Sequence, residues 1–263
     1  MTDRHTFRPI VAGEAAWQRQ LRDRYAADPA PAIDLDLRST RVRPVTRETA
    51  LRVILRYEWL GTLPPVQRYF GIFFGPYVAG VTAVAVGNGT AGAFTSMQYG
   101  IERTELATLT RGACVHWAPP GTNSRLVSWT VRLLRELDPR VKLVVAYADS
   151  EAGEIGTIYQ AAGWTYIGPG ATVIEWVSPS GKVFNTRAMG PTSHDGGKVV
   201  ARGWSPTAGK NRTRKTEEAL LAAGWRKQTS NRKHRYVALV DRDDADLTRR
   251  IAAMRLPYPK RPA

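Results

Sequence analysis

The sequence predicts a mixed α/β domain whose central sheet is mostly antiparallel and is flanked by helices. Two β-rich runs, 68–74 and 77–86, are joined by Gly75-Pro76 in the manner of a hairpin. Apolar residues then recur at helical spacing over 126–137, and an apolar run over 142–147 precedes a short helical and a short extended segment. A meander followed by helix, strand, helix and strand is typical of a layered α/β fold.

The composition is that of a globular protein. The chain has 263 residues, of which 43% are hydrophobic and 23% charged, so it can bury a core and is not a disordered tail. The longest apolar stretch, near 77–86, is far shorter than the ~20 residues of a membrane span, and the N-terminus lacks a signal-peptide core. The single cysteine, Cys114, forms no intramolecular disulfide, and a cytoplasmic setting is expected.

The first elements follow a peripheral extension, which we assign to residues 1–40. An extended stretch over 41–45 leads to Thr46, a candidate N-cap, and an amphipathic helix then runs to about Trp59. Pro64-Pro65 ends this helix before the predicted hairpin begins. A predicted catalytic core over 41–178 begins with these elements.

A strand, a loop and a helix come next. The third strand is predicted over 113–117, the loop over 118–124, and the helix up to Leu137, with Asn123 or Ser124 as its N-cap. The opening amides of such a helix suit an anion such as a diphosphate. An ordinary capped helix that binds nothing is the alternative.

The sheet centre is predicted at 142–147, because this run is almost wholly apolar, as in a strand covered on both faces. It ends at Asp149. A short helix over 155–162 follows, closed by Gly163, and 164–167 begins another strand.

The C-terminal part is strongly basic. Of the formal net charge of +15, +12 lies in residues 182–263, with nineteen Lys or Arg and seven Asp or Glu. A polyanion is the expected partner, and a solvated charged face is the alternative. We expect phosphate contacts that grip both strands of DNA without reading sequence. The candidate contacts are Lys210, Arg212, Arg214, Lys215, Arg232, Lys233 and Arg235.

The same part also contains ordered elements. The sequence predicts a hairpin turn at Ser178-Pro-Ser-Gly181 and a loop over 190–209. It then predicts a helix over 213–223, closed by Gly224, and a strand over 235–240 that completes the sheet. The extended basic tail is either a DNA arm or an inert end. We assign residues 179–263 to a basic DNA-contacting region.

This order of elements resembles the GNAT acyltransferases. Tyr159, four residues before Gly163-Trp164, corresponds to a tyrosine that in this superfamily often lies near the thiol of coenzyme A. The resemblance implies acetyl-CoA or a related CoA donor, and GNAT-like proteins commonly form homodimers. The turn over 117–124 differs from the Gln/Arg-x-x-Gly-x-Gly/Ala diphosphate loop of that superfamily.

A closer resemblance is to the Mom family of phage DNA-modification proteins. It is carried by Tyr147-Ala-Asp149, Gly153, the run from Ile155 to Gly168, and Pro120-Gly-Thr-Asn-Ser124. The family's modification replaces an N6 hydrogen of adenine with a carbamoylmethyl group and protects phage DNA from host nucleases. By position the resemblance implies the active-site candidates Tyr57, Arg111, Ser124, Asp149 and Tyr159.

These residue types suit the chemistry. The N6 lone pair of adenine is delocalised into the ring, so the amine must be oriented and must lose a proton as it attacks. Asp149 can bind the amine or the base edge, or else only cap a helix, and Tyr159 can protonate a leaving thiolate or only pack on the sheet. A base inside a duplex must also be turned out of the stack and held by aromatic surface.

The remaining candidates also have two readings each. Ser124 binds a diphosphate or only caps its helix, Arg111 holds a phosphate or is a surface residue, and Tyr57 acts in the reaction or belongs to a packed helix face. We read His116 as structural and Cys114 as buried and inert, with an acyl-enzyme through Cys114 as the alternative. The sequence does not identify a metal.

Three functions compete at this stage. The first is a GNAT-like transferase that modifies adenine in double-stranded DNA. The second is an N-acyltransferase that uses acetyl-CoA on a protein or a small amine, for which so basic a C-terminal third is unnecessary. The third is a non-catalytic DNA-binding protein, in which Asp149→Ala and Tyr159→Phe would leave the biological effect intact.

Overall fold

The computed structural model of the chain describes residues 22–58, 63, 68–87, 96–150, 153–170, 173–181, 183–185, 212–230 and 233–260. These residues divide into two compact units, 22–170 with 233–260, and 173–230. The chain leaves the first unit after Gly170 and returns to it at Lys233. Across these described segments, the structure contains no helix of the length and apolarity that a bilayer crossing requires.

The strands and helices are numbered in chain order. The strands are β1 (Arg41–Pro44), β2 (Arg68–Phe74), β3 (Tyr77–Val86), β4 (Leu106–Cys114), β5 (Leu143–Ala148), β6 (Thr165–Pro169), β7 (Val173–Val177), β8 (Val183–Asn185), β9 (Arg226–Ser230) and β10 (His234–Leu239). The α-helices are α1 (Arg47–Tyr57), α2 (Thr122–Leu137), α3 (Thr157–Ala161), α4 (Arg212–Ala222) and α5 (Ala245–Ala253).

The first unit is built on a seven-stranded sheet of order β1-β2-β3-β4-β5-β10-β6. All neighbouring pairs are antiparallel except β4 with β5, which run parallel. The last strand, β10, inserts between β5 and β6 and completes the sheet, as the sequence predicted. The meander followed by helix, strand, helix and strand is therefore present, and the predicted mixed α/β fold, with a mostly antiparallel sheet flanked by helices, is confirmed.

Helices cover both faces of the sheet around β5. Val144 and Ala146 face a buried cluster that includes residues of α2 and α3. Leu143 and Val145 alternate with them and face a second cluster, which includes residues of α5. The prediction that this strand is covered on both faces is confirmed. Its carboxyl end reaches the surface, because Tyr147 is 37% exposed.

The predicted third strand was misplaced. β4 covers Leu106–Cys114, whereas the prediction began at Ala113 and ended at Trp117. Half-buried polar residues inside the strand, such as Thr108 and Thr110, hide its pattern, and a register shift in the β3–β4 ladder lies near them. The residues after Cys114 form a turn that leads into α2.

Several helix boundaries also differ from the predictions. α1 begins after the predicted N-cap Thr46, whose hydroxyl accepts the backbone N–H of Thr49 at 3.2 Å, but it ends at Tyr57 and not at Trp59. α3 begins at Thr157 and not at Ile155, because Gly156 precedes it with φ +74°. Gly163, with φ +73°, closes α3 as predicted.

The second unit contains a three-stranded sheet of order β8-β7-β9 together with α4. The predicted turn between β7 and β8 is confirmed, since the N–H of Gly181 donates to the carbonyl of Ser178 at 2.8 Å. The loop predicted over 190–209 lies outside the described residues. The predicted partition at residue 178 remains a prediction.

Candidate active site

The site forms where the two parallel strands of the sheet stop pairing. β4 and β5 pair from Leu106 with Leu143 to Leu109 with Ala146. β4 then continues to Cys114 along β3, and β5 ends at Ala148. Carboxyl ends of adjacent parallel strands are where ligands of α/β proteins commonly bind. Two predicted site residues lie here, Arg111 in β4 and Asp149 directly after β5.

Asp149 is largely buried and is held by several partners. Its Oδ2 lies 2.7 Å from Nζ of Lys233, the first residue after the second unit. Its backbone N–H donates to Oε2 of Glu154 at 3.3 Å, and its carbonyl accepts the N–H of Glu154 at 2.9 Å. The loop after β5 therefore brings two carboxylates together beside one ammonium group.

Glu154 is a candidate that the sequence analysis missed. Burial raises the pKa of its carboxyl to about 6, and the nearby charge of Asp149 raises it as well, while the Asp149 N–H and Lys233 lower it. A carboxyl with this pKa exchanges a proton close to neutral pH, which is the property of a general base. A lone glutamate in a glycine-containing loop gives no sequence signal for such burial.

Tyr159 lies beside this pair, in α3. Its ring is buried and packs on the rings of Trp164 and Tyr236, at centroid distances of 5.1 and 5.3 Å. Burial raises the pKa of its hydroxyl, and the charge of Glu154 raises it further. The hydroxyl therefore stays protonated, as a proton donor requires. We call Asp149, Glu154, Tyr159 and Lys233 the carboxylate cluster.

Tyr236 supports the cluster from β10. Its hydroxyl donates to the carbonyl of Ile155 and accepts from Nε2 of Gln160 at 3.0 Å. Its ring lies directly over Gly156, where a Cβ atom would stand 2.2 Å from Cε2 of the ring. Glycine is therefore required at position 156 by space as well as by its positive φ.

Tyr57 lies in a second group of polar residues. Its hydroxyl is 2.8 Å from Nδ1 of His116, and Nε2 of His116 is 3.1 Å from the carbonyl of Asp28. Because a carbonyl only accepts, Nε2 donates to it, and the tautomer protonated at Nε2 leaves Nδ1 to accept from the Tyr57 hydroxyl. The structural role expected for His116 agrees with this arrangement. Burial raises the pKa of the Tyr57 hydroxyl.

Arg111 is linked to this group through Glu58, the residue that follows Tyr57. Its Nε lies 3.8 Å from Oε2 of Glu58, the residue after α1, and both side chains are mostly buried. Burial lowers the pKa of the guanidinium, and Glu58 partly restores it. Its Nη1 also donates to the carbonyl of Thr110 at 2.6 Å. The surface reading of Arg111 is therefore wrong. We call Tyr57, Glu58, Arg111 and His116 the tyrosine–histidine cluster.

The turn before α2 differs from the prediction in its cap. The N-cap is Gly121, with φ +89°, and Asn123 and Ser124 lie inside the first helical turn. Neither residue is therefore the N-cap. The hydroxyl of Ser124 donates to the carbonyl of Gly121 at 2.9 Å. The helix begins earlier because Gly121 adopts the left-handed conformation, which the sequence pattern did not reveal.

This turn nevertheless fits an anion. The first turn of α2 contains no acidic residue, and its opening amides together with the helix dipole favour negative charge. Asn123 and Ser124 lie in this turn, so their backbone amides belong to the predicted diphosphate position. A CoA-type diphosphate is therefore compatible with the residues present.

The basic residues are only partly described. Lys233 pairs with Asp149, and Nη1 of Arg235 donates to Oε1 of Gln98 at 2.7 Å. Lys210 and Arg232 lie outside the described residues, as do the side chains of Arg212, Arg214 and Lys215. Cys114 is buried as predicted, and burial raises the pKa of its thiol to about 12.

The described residues contain no group of three or more His, Cys, Asp or Glu side chains arranged to hold a metal ion.

Described residues near both ends of the chain are hydrogen-bonded to the core of the first unit. Nη2 of Arg22 donates to the carbonyls of His116 and Ala118, at 3.1 and 2.8 Å. The hydroxyl of Tyr258 donates to the carbonyl of Trp164 at 2.7 Å, so the described part of the tail packs on the core.

Comparison with solved structures finds acetyltransferases of low similarity. The aminoglycoside acetyltransferase AAC(6')-Ib in complex with coenzyme A and kanamycin is 14% identical, with a TM-score of 0.38 over 59% of this chain and 99% of that chain. A Bacillus subtilis acetyltransferase in complex with CoA is 11% identical, with a TM-score of 0.39 over 76% of this chain and 98% of that chain. A probable acetyltransferase from Staphylococcus epidermidis ATCC 12228 is 8% identical, with a TM-score of 0.40 over 77% of this chain and 99% of that chain.

Comparison by sequence gives a more specific result. No curated protein sequence matches the chain significantly. The model of the Mom protein family, in contrast, matches residues 39–260. This range includes both polar clusters, the turn before α2 and all ten strands of the two sheets. The chain therefore belongs to the Mom protein family.

Proposed function

We propose that this protein is a transferase that modifies DNA, placing a carbamoylmethyl-type group on the N6 amine of adenine in double-stranded DNA. The observation that carries the proposal is the carboxylate cluster at the end of β5, in a chain that belongs to the Mom family. The modification would protect phage DNA from host nucleases.

The carboxylate cluster supports the proton transfer that this reaction needs. As the bond from N6 to the incoming carbon forms, N6 must lose one hydrogen as a proton. Glu154 accepts this proton, because its pKa of about 6 matches a near-neutral reaction. Asp149 orients the amine by accepting its second hydrogen, and the leaving group departs with the electron pair of the bond that breaks.

Tyr159 supplies the complementary acid in this proposal. Its protonated hydroxyl gives a proton to the leaving group, and the proton that Glu154 took from N6 then restores the hydroxyl. A CoA-type donor would place its diphosphate at the first turn of α2, near Asn123 and Ser124. Acyl transfer from its thioester would join N6 to the acyl carbon and release the thiolate. A carbamoylmethyl product requires instead a donor that already contains the amide and whose methylene carbon carries the leaving group. Arg111 and Tyr57 would lie along the neighbouring strand β4 and helix α1.

Double-stranded DNA is the proposed partner. The excess of twelve positive charges in residues 182–263 favours a polyanion, and release of counterions from phosphate would supply most of the affinity. Binding through phosphates would place different sequences at the site with similar affinity. The target adenine would have to be flipped out of the duplex to reach the carboxylate cluster.

Mass spectrometry of nucleosides from cells that express the chain tests the proposal. We expect a deoxyadenosine product heavier by one carbamoylmethyl group with the wild type, and its loss with Asp149→Ala and Tyr159→Phe. Asp246→Ala, an exposed acidic residue of α5, is the matched control and should retain the product.

Two results would overturn the proposal, provided that the protein is soluble. Unmodified deoxyadenosine with an acetylated protein or small amine would favour an N-acyltransferase. Full biological protection by Asp149→Ala and Tyr159→Phe would favour a non-catalytic DNA-binding protein.

A further inference from the structure

An exposed polar surface lies on the face of β5 and β10 that also carries α5. Tyr147 of β5 and Arg235 of β10 are directly opposite each other in the antiparallel ladder. Tyr147 is 37% exposed, although it follows four buried residues of the same strand. The described helical turn over 96–99 borders this surface, since Arg235 contacts Gln98. We call Tyr147, Arg235, Gln98 and Tyr99 the Tyr147 patch.

The patch contains two buried polar atoms without partners. Within the described residues, the hydroxyl of Tyr99 and Nε of Arg235 are inaccessible to solvent and make no hydrogen bond. The ring of Tyr99 is fully buried, and the charge of Arg235 acts on its hydroxyl. Leaving such groups unpaired in a buried place destabilises the folded protein. Two of them in one place mark a position at which a polar ligand can make hydrogen bonds that the protein does not supply.

The patch also continues to two residues of the carboxylate cluster, Asp149 and Lys233. Side chains alternate along a strand, so Asp149 follows Tyr147 on the same side, and Lys233 precedes Arg235 on the same side of β10. The 2.7 Å contact of Lys233 with Asp149 confirms this placement. A ligand that covers Tyr147 and Arg235 would therefore reach Asp149 with its far edge.

We propose that the Tyr147 patch binds the flipped target nucleotide, with the base stacked on Tyr147 and with Arg235 and the Tyr99 hydroxyl bonded to its polar atoms. This inference rests on the proposed function and assigns the residues that hold its substrate. Arg235 exchanges the exposed contact with Gln98 for the phosphate of the nucleotide, and this movement uncovers the Tyr99 hydroxyl.

The chemistry of the patch matches a purine nucleotide. A tyrosine ring offers the flat surface on which any base stacks. The guanidinium donates to phosphate oxygens, whereas the Tyr99 hydroxyl can donate to or accept from the edge of a base. The same chemistry would also suit a free nucleotide, so the experiment includes both.

Binding to DNA with one extrahelical 2-aminopurine tests the inference without any transfer reaction. Wild-type protein should quench the fluorescence of this base and should prefer the bulged duplex to a fully paired one. Tyr147→Ala should weaken binding of the bulged duplex by roughly tenfold, the loss of one stacked base, and Tyr147→Phe should retain it. Tyr77→Ala is the control, because Tyr77 is similarly exposed (47%) but lies in the β2–β3 hairpin.

Tyr99→Phe separates binding from structure. It removes only the unpaired hydroxyl, so we expect unchanged or increased thermal stability together with severalfold weaker binding of the bulged duplex. A loss of stability would show that the hydroxyl has a structural partner and would overturn its assignment. Unchanged binding by a folded Tyr147→Ala variant would overturn the inference as a whole.

Competition identifies the source of the ligand. Free deoxyadenosine monophosphate or coenzyme A should not displace the bulged duplex at micromolar concentration, and displacement would overturn the assignment to DNA. The fluorescence experiment reports binding alone, whereas the mass spectrometry of nucleosides reports the reaction. A missing nucleoside product and a missing effect of Tyr147→Ala on binding are therefore separate results. The first contradicts the proposed function and the second contradicts the nucleotide site.

Discussion

The ammonium group of Lys233 lies 2.7 Å from Oδ2 of Asp149, at the position where the chain returns from the second unit. From the sequence, these two residues were expected to have different tasks, Lys233 in binding DNA phosphates and Asp149 in the reaction. The structure shows that they are partners. The charge of Lys233 also acts on Glu154 and lowers its pKa.

Replacing Lys233 with methionine should therefore change the titration of Glu154. In the wild type, the positive charge of Lys233 partly offsets the negative charge of Asp149, which opposes ionisation of Glu154. Without the ammonium group, the pKa of Glu154 should rise. The pH dependence of activity should move to higher pH, and a carboxyl-selective NMR titration should show the same direction. Lys142→Met is the control, because Lys142 pairs with Glu105 and Asp244 instead.

Glu154→Gln should make stability less dependent on pH. The pKa of Glu154 is raised to about 6 in the folded protein, so the folded state binds this proton more tightly than the unfolded chain. Its favourable contribution is present below the unfolded pKa, near 4.5, and is lost as pH rises through about 6. The variant should equal the wild type at pH ~4 and exceed it by about 2 kcal/mol at pH ~8.

Urea unfolding at several pH values measures this difference. Glu136→Gln, at an exposed position of α2, should leave the pH dependence unchanged. The activity of Glu154→Gln should fall while its stability at neutral pH rises, because a buried general base is retained at the cost of stability. Equal stability of variant and wild type at pH ~8 would contradict the raised pKa.

The sequence predicted those features of the fold that depend on local pattern. The hairpin over 68–86 and the apolar strand before Asp149 were recognised by their periodicity and their turn residues. β4 was misplaced because threonines and Arg111 occupy half-buried positions there. The position of such a strand is determined by its pairing with the two neighbouring strands of the sheet. A local sequence pattern does not reveal this pairing.

For the candidate site, resemblance supplied Asp149 and Tyr159, and their role in a reaction stays a prediction. In the folded chain each of them interacts with Glu154, in the loop after β5. Glu154 and Tyr147 were missed, because their importance depends on burial of one and exposure of the other, opposite to what each residue type suggests. A buried glutamate and an exposed tyrosine result from packing between segments that are distant in the sequence, so they are visible only in the folded chain.

A pair of glycines allows the contact between Tyr236 and the site loop to be tested. Gly156 and Gly163 have nearly the same φ, +74° and +73°, but a Cβ atom at Gly156 would meet the Tyr236 ring and one at Gly163 meets nothing within 4 Å. Gly163→Ala should cost about 1–2 kcal/mol, the strain of the left-handed conformation. Gly156→Ala should cost at least about 1 kcal/mol more, because the ring must move as well.

Chemical denaturation of both variants measures their free energies of unfolding. Because the backbone strain is common to both, the difference between them reports the contact with Tyr236. The displacement of Tyr236 should also disturb its hydrogen bonds with Ile155 and Gln160, and with them the position of Glu154. Gly156→Ala should thus lose activity beyond its loss of stability. Equal free energies of unfolding for the two variants would show that the ring is free to move.

The bond between Tyr57 and His116 gives the last prediction. Tyr57→Phe leaves Nδ1 of His116 without its donor in a partly buried place, and the expected cost is about 1 kcal/mol. In the variant His116→Phe, the further change Tyr57→Phe should cost less, because the bond is already absent; a double-mutant cycle from urea unfolding measures this coupling. Tyr77→Phe, at an exposed hairpin position, should be neutral. A coupling near zero would mean that the hydroxyl is not committed to His116, and Tyr57 would then be free to serve the reaction directly, as its position in the family resemblance implies.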